Sequence, residues 1–200
     1  MRKLALLFVV LLFLCISAFK SDNLPPLFSG LLNRAQMTFT QPEGLTVILS
    51  PVKNGQMNYE YAVKSPDKGF EVRYTVRPLD SLLMKYAEFE KNKAPGSAQI
   101  SPNKFYPAAF IATMMNITGG HMSKVVPYNT EAVKKEFNAD WGATCIGNVT
   151  GDFGKGYTYC MAVAIHKDNV GDAYYFYLSD NQDNLKTMLT PVFHALVFKP

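Results

Sequence analysis

The cysteines and histidines are the residues whose chemistry could support catalysis in this chain. A cysteine nucleophile needs a nearby base, and Cys160 has His166 six residues further along the same predicted strand. Both side chains then lie on one face of that strand, but about 20 Å apart. This pair therefore cannot act as a nucleophile and its base. His121 and His194 could approach Cys160 only through the fold, and nothing in the sequence points to either.

Metal, phosphate and nucleic-acid sites have no clear signature either. The histidines and cysteines show neither His-x-x-x-His nor Cys-x-x-Cys spacing, so we predict no metal site. Gly151, Gly154 and Gly156 lack the Gly-Lys-Ser/Thr of a phosphate-binding loop and are interpreted as turn glycines. The net charge of +4, with no run of five like charges, is not typical of a nucleic-acid-binding protein. We predict no cofactor and no enzymatic activity; a hydrolase using Cys160 or an acid pair is the less favoured alternative.

The first eighteen residues are typical of a secretory signal peptide. Arg2 and Lys3 precede an apolar stretch over 4–19, with small residues near Ala18. That stretch is shorter than the roughly 20 residues that span a bilayer, and an uncleaved N-terminal anchor is the alternative. We expect a periplasmic or secreted protein with no membrane span after cleavage. A lead-in segment over 19–36 and one domain over 37–200 follow the signal peptide.

Export favours a disulfide bond. Cys15 leaves with the signal peptide, so Cys145 and Cys160 remain as an even pair in an oxidising compartment. The glycine-rich turn over 147–156 would bring these two cysteines close together on paired strands. We predict a Cys145–Cys160 disulfide, with two buried free thiols as the alternative.

Alternating apolar and polar residues predict two β-hairpins. The first pairs apolar with apolar and charge with countercharge across the turn 66–69: Val63 with Val72, Tyr61 with Tyr74, and Lys64 with Glu71. The second turns at 168–171 and pairs apolar residues on both faces: Met161 with Leu178, Val163 with Phe176, Ala162 with Tyr177, and Ala164 with Tyr175. Because both faces of the second hairpin are apolar, it should lie within the sheet with layers above and below.

Helices complete the predicted domain. Apolar spacings of three and four residues predict helices over 80–93, 107–115 and 130–138, and a closing helix from Asp180 to near Pro191. A last strand covers 194–199. The predicted order along the chain is four strands, three helices, three strands, a helix and a strand. This order predicts an α+β fold, an α/β/α sandwich with a central, mainly antiparallel sheet.

Two sets of residues are candidates for binding. Asp140 and Trp141 stand at a helix-to-strand junction, where Trp141 is either an interface anchor or a core residue whose indole N–H finds an acceptor. Phe110, Tyr175 and Tyr177 could line a cavity for a small apolar ligand between the apolar helix and the tyrosine-rich strands. The alternative for these three residues is simple core packing.

The element order resembles that of the PsbP-like superfamily. The resemblance covers most of 37–198 and is carried by the Pro-x-Gly turn at 42–44, by Tyr61-Ala62-Val63 facing 70–74, and by the closing hairpin, helix and strand. That superfamily includes subunit P of the photosystem oxygen-evolving complex, Ran-binding Mog-like proteins and exported bacterial proteins of unknown function. The resemblance implies an α/β/α sandwich that binds partner proteins and does not catalyse a reaction. We therefore expect an exported, non-catalytic protein with a protein or envelope partner, or alternatively a carrier of a small apolar ligand.

Overall fold

The computed structural model describes residues 24–48, 55–66 and 69–200. The predicted signal peptide over 1–18 lies outside these residues. The helices are α1 (Pro26–Arg34), α2 (Asp80–Asn92), α3 (Pro102–Thr118), α4 (Thr130–Phe137) and α5 (Gln182–Thr187). The strands are β1 (Met37–Phe39), β2 (Thr46–Val47), β3 (Tyr61–Lys64), β4 (Phe70–Pro78), β5 (Val126–Pro127), β6 (Trp141–Asn148), β7 (Tyr159–Lys167), β8 (Gly171–Ser179) and β9 (Leu196–Phe198). Within the described ranges, no helix combines the length and the apolar character needed to cross a membrane.

The central sheet is antiparallel throughout. Among the described residues its strand order is β2-β3-β4-β8-β7-β6-β5, while β1 and β9 pair with each other in a separate ribbon. On one face of the sheet lie α1, α4, α5 and the ribbon, and on the other lies α3. All nine residues of β8 are buried. The predicted α+β fold, with its central strands covered on both faces, is confirmed.

The first hairpin has the predicted register. Val63 lies opposite Val72, Tyr61 opposite Tyr74 and Lys64 opposite Glu71. A backbone hydrogen bond of 2.8 Å from the Ser65 N–H to the Phe70 carbonyl closes the turn. The pairing is predictable because a shift of one residue would turn the buried face of each strand toward the wrong layer.

The second hairpin is shifted by one residue from its predicted register. Lys167 pairs with Gly171, so the connecting loop has three residues rather than four. Asn169 occupies the left-handed region at φ 62°, and the Val170 N–H bonds back to the Lys167 carbonyl at 3.1 Å. Asparagine tolerates this conformation better than most residues, which permits the shorter loop. The shift reverses the faces of β8 relative to β7: Met161 pairs with Tyr177, Val163 with Tyr175, Ala162 with Phe176, and Ala164 with Tyr174.

The helix boundaries differ from the predicted ones. The lead-in segment contains α1, which begins after Pro25, and its Phe28 and Leu32 enter the core. The α3 helix begins at Pro102, five residues earlier than expected. The closing helix is shorter than predicted and is capped by the Asn181 side chain, which accepts a hydrogen bond of 2.9 Å from the Asp183 N–H.

The two predicted disulfide partners are free, buried thiols in the structure. Cys145 lies opposite Ala162, and Cys160 lies opposite Gly147, so the two cysteines are diagonal neighbours on β6 and β7. Diagonal residues of an antiparallel pair are about 7–8 Å apart, whereas bridged cysteines have Cα atoms about 4.4–6.8 Å apart. The predicted bridge is therefore not formed.

We expect thiol labelling to confirm the free cysteines. In a Cys15→Ser variant, an alkylating reagent should leave the native protein unmodified because both remaining thiols are buried. After denaturation without reductant, mass spectrometry should find both Cys145 and Cys160 alkylated. A denatured protein that gains no adduct would show that the bridge forms.

Replacing each of three buried tyrosines with phenylalanine should affect the free energy of unfolding differently. The hydroxyls of Tyr74 and Tyr177 have no hydrogen-bond partner among the described residues, whereas the Tyr175 hydroxyl donates to the Leu196 carbonyl. We expect Tyr74→Phe and Tyr177→Phe to leave the free energy of unfolding unchanged or to raise it slightly, and Tyr175→Phe to lower it by about 0.5–1.5 kcal/mol. Urea titrations of the three variants measure this, and equal losses in all three would contradict the assignment.

Candidate functional site

Four polar or aromatic residues form a row across the four central strands, close to the ends of those strands. Arg77 on β4 pairs with Asp172 on β8, Asp172 pairs with His166 on β7, and His166 pairs with Trp141 on β6. Directly paired residues of antiparallel strands share one face, so these four side chains lie side by side on the face that α3 covers. We call this set the cross-strand row.

His166 is held on both sides by carboxylates. Its Nδ1 lies 2.6 Å from Asp172 Oδ1 and its Nε2 lies 2.9 Å from Asp168 Oδ1. The Tyr106 ring of α3 stacks on the imidazole with the ring centroids 4.0 Å apart, and the histidine is only 1% exposed. Burial lowers the pKa of His166, but the hydrogen bonds to Asp172 and Asp168 outweigh it and raise the pKa above its ordinary value.

This arrangement predicts a pH-dependent stability. A raised folded-state pKa means that His166 contributes its full stabilisation below about pH 6.5 and loses it as the pH rises through the folded-state value. We expect the free energy of unfolding to fall above about pH 6.5, and to fall less in a His166→Gln variant. Asp168→Asn removes one of the two carboxylates and should reduce the fall. Identical pH profiles for the wild type and both variants would contradict this expectation.

An open groove between α2 and α3 continues from the cross-strand row. It has a volume of about 470 Å³. Most of the residues that line it are apolar or aromatic: Leu79, Leu82, Ile100, Pro102, Phe105, Tyr106 and Ala109. The charged or polar lining residues are Arg77, Lys85, Asp172 and Gln99. We call it the α2–α3 groove. It brings apolar walls and fixed charges together, which is the usual composition of a ligand site.

The groove exists because α2 does not pack closely onto the domain. None of the thirteen residues of α2 is buried, and the apolar stripe of Leu83, Tyr86 and Phe89 remains partly exposed. Its N-terminus is tied to α1 by Arg34, which donates two hydrogen bonds to the Asp80 carboxylate at 2.6 and 2.8 Å. A surface helix normally buries an apolar stripe against its own domain. The stripe of α2 is therefore incompletely covered by its own chain.

The outer face of α3 is also apolar. Phe105 is 50% exposed, and Ile111 and Met115 are similarly exposed. The sequence left two alternatives for this apolar helix, the lining of a ligand cavity or simple core packing. In the structure one side of it, which includes Phe110, packs on the sheet.

The predicted interface residues lie beside the cross-strand row. Trp141 is partly buried beneath α3, with its ring 4.8 Å from that of Tyr106. Asp140 is exposed, pairs with Lys134 at 3.1 Å and accepts a hydrogen bond of 2.9 Å from the Asp168 N–H. Asp140 thus links α4 to the β7–β8 loop, and Trp141 packs β6 against α3. The role of both residues in an interface stays a prediction.

The predicted ligand residues do not share a cavity. Phe110 lies in the core between the sheet and α3, whereas Tyr175 and Tyr177 lie in the core on the opposite face. All three side chains are fully buried. Their separation follows from the register shift of the second hairpin, because a slip of one residue moves every side chain of a strand to the other face.

A second polar cluster lies on the same face of the sheet, outside the groove. Arg73 donates to Glu71 at 2.5 Å and to the Phe153 carbonyl. The Arg73 guanidinium lies between the rings of Tyr59 and Phe153, 4.9 and 4.8 Å from their centroids. Both charged side chains are less than a tenth exposed. This ion pair borders an open pocket of about 460 Å³.

Of the residues whose chemistry could support catalysis, His166 is bound within the cross-strand row, whereas Cys160 lies six residues away on the same strand. Burial raises the pKa of the Cys160 thiol strongly, which disfavours the reactive thiolate. Within the described residues, no cluster of three or more His, Cys, Asp or Glu side chains could hold a metal ion.

Comparison with solved structures finds seven similar chains. No family model matches the chain, and no curated protein matches it. The solution structure of cyanobacterial PsbP from Synechocystis sp. PCC 6803 is similar over 82% of this chain and 88% of that one, with 12% identity and a TM-score of 0.40. The PsbP-like resemblance stays a likeness of fold, and the function is inferred from this chain's own residues.

Proposed function

We propose that this protein is an exported, non-catalytic binding protein and that the α2–α3 groove receives an apolar segment of a partner protein. The observation that carries the proposal is the exposure of the groove walls. Leu82 on α2, Ile100 in the connecting loop and Phe105 on α3 are each at least half exposed. They border a groove formed by a helix that buries none of its own side chains.

The shape of the groove supports a protein partner. Contiguous apolar surface rimmed by polar groups is typical of interaction sites. Partner helices commonly dock in such grooves through apolar side chains spaced three and four residues apart. Met84 on α2 and Ile111 on α3 are further exposed apolar residues that lie outside the groove lining.

Site-specific photocrosslinking in the native compartment tests the proposal. A benzophenone amino acid at position 82 or 105 should yield the same crosslinked protein species. Position 126 is a matched control, because Val126 is 54% exposed but lies on the short edge strand β5. Adducts at 126 as abundant as those at 82 and 105, or different species at 82 and 105, would contradict the proposal.

A small apolar ligand is the second candidate for the same groove. Its volume of about 470 Å³ falls within the usual range of about 300–1,000 Å³ for small-molecule sites. Native mass spectrometry of the isolated protein distinguishes the two candidates. A bound molecule of a few hundred daltons would support the carrier, and a protein adduct without such a molecule would support the partner.

A further inference from the structure

Arg77 brings a positive charge to the floor of the α2–α3 groove. Its guanidinium carbon lies 4.9 Å from the centroid of the Tyr174 ring, and one terminal nitrogen lies 3.3 Å from Met57 Sδ. Among the residues that the structure describes, no carboxylate forms an ion pair with Arg77 within 4.0 Å. Arg77 is half-buried and lines both this groove and a second pocket of about 350 Å³ beside Met57 and Glu60. Its planar guanidinium carries its hydrogen-bond donors in a fixed fork.

The two nearest acids are engaged with other groups. Asp172 lies opposite Arg77 in the strand register, but its carboxylate is bound to His166 at 2.6 Å. Glu60 accepts a hydrogen bond of 3.1 Å from the Val76 N–H, and burial raises its pKa to about 6 even though Arg77 acts in the opposite direction. Each of these two acids is thus bound by a group other than Arg77.

The charges of the groove favour an anionic group on the occupant. Arg77 and Lys85 are its two cations, and Asp172 is the one acid among its lining residues. The lining residues of the groove therefore carry a formal net charge of +1. The remaining walls are apolar, so an occupant needs an apolar body and one negatively charged group.

We propose that Arg77 is an anion subsite that binds a carboxylate side chain of the partner segment, while the apolar residues of that segment lie against Leu82, Ile100 and Phe105. This inference rests on the proposed function and adds the charge chemistry of the partner. The planar guanidinium can bind both oxygens of a carboxylate, which also fixes the orientation of the segment in the groove.

A pair of simple probes tests the subsite without the partner. Octanoate and 1-octanol carry the same chain and differ in the carboxylate. In ¹⁵N NMR titrations of the exported protein, octanoate should shift the amide signals of residues lining the groove and bind about fivefold more tightly than 1-octanol. Absence of groove shifts with either probe, or equal affinity for the two, would overturn the proposal.

Variants assign the preference to Arg77. Arg77→Gln should bind octanoate and 1-octanol equally, with the affinity for 1-octanol unchanged, while Arg77→Lys should keep part of the preference. Lys155→Gln is a matched control, because Lys155 is an exposed cation outside the groove. If Arg77→Gln does not fold, the Lys variant carries the test. An octanoate preference that survives in Arg77→Gln, or that is undiminished in Arg77→Lys, would overturn the subsite.

A further arm identifies the source of the carboxylate. In the photocrosslinking experiment, Arg77→Gln should reduce the adduct at position 105 about fivefold. Unchanged adduct in a variant that has lost the octanoate preference would show that the partner supplies no carboxylate there. A fatty acid released from the isolated protein would place a free amphiphile in the groove and overturn the partner segment as the source. If the protein with an intact Arg77 gave no crosslinked species at all, the proposed function would be refuted. The octanoate preference would then still stand as evidence for the subsite.

Discussion

Replacing Arg73 with methionine is expected to lower the free energy of unfolding by about 3–5 kcal/mol. The substitution leaves Glu71, which is 8% exposed, as a buried carboxylate without its cation. It also removes the guanidinium from between the rings of Tyr59 and Phe153. Guanidinium chloride titration monitored by circular dichroism measures the loss.

A double variant separates the ion pair from simple packing. Glu71→Leu combined with Arg73→Met removes both charges, so it should recover much of the loss of the single variant. Lys186→Met is the exposed control, since Lys186 in its pair with Asp183 is 77% exposed and should change stability little. A single Arg73 variant as stable as the Lys186 variant would show that the buried pair does not stabilise the fold.

Replacing Phe105 with glutamate is expected to weaken partner binding about 30-fold or more, the effect of losing an interface anchor worth about 2 kcal/mol. Glutamate places a charge on the apolar wall beside Ile100. Because Phe105 is 50% exposed, the same change should leave the unfolding midpoint close to that of the wild type. Retention of the crosslinked partner on the immobilised protein, measured against concentration, gives the affinity.

Two matched variants accompany this prediction. Leu82→Glu alters the opposite wall of the groove and should weaken binding to a similar degree. Val126→Glu introduces the same charge at an equally exposed site on β5 and should have no effect. If Val126→Glu weakened binding as much as Phe105→Glu, the partner would bind at the sheet edge instead of the groove.

The hairpins show what the sequence can predict about this fold. The β3–β4 register was predictable because apolar faces and the Lys64–Glu71 pair agree on one alignment. The β7–β8 register was not, because both faces of that hairpin are apolar and either alignment buries them. The observed alignment is the one in which Asn169 adopts a left-handed backbone conformation and the loop has three residues. Patterning alone carries no information about that choice.

The candidate site was harder to predict than the fold. Arg77, Asp172, His166 and Trp141 are adjacent only through the registers of four strands, and one of those registers was predicted wrongly. The groove depends on α2 staying clear of the sheet, whereas its apolar spacing favours close packing. The binding role predicted for Phe110, Tyr175 and Tyr177 followed from the abundance of aromatic residues. In the structure these three side chains pack in the two cores on either face of the sheet.

Hydrogen exchange of α2 tests most directly whether the α2–α3 groove is the binding site. In the isolated protein, the α2 amides should exchange far faster than those of β8, because this helix buries none of its side chains. When the partner is bound, protection should rise over 80–92 and at the start of α3, and remain unchanged at β5. An α2 that is already as protected as β8 without a partner, or new protection confined to β5 or to the β1–β9 ribbon, would contradict the account.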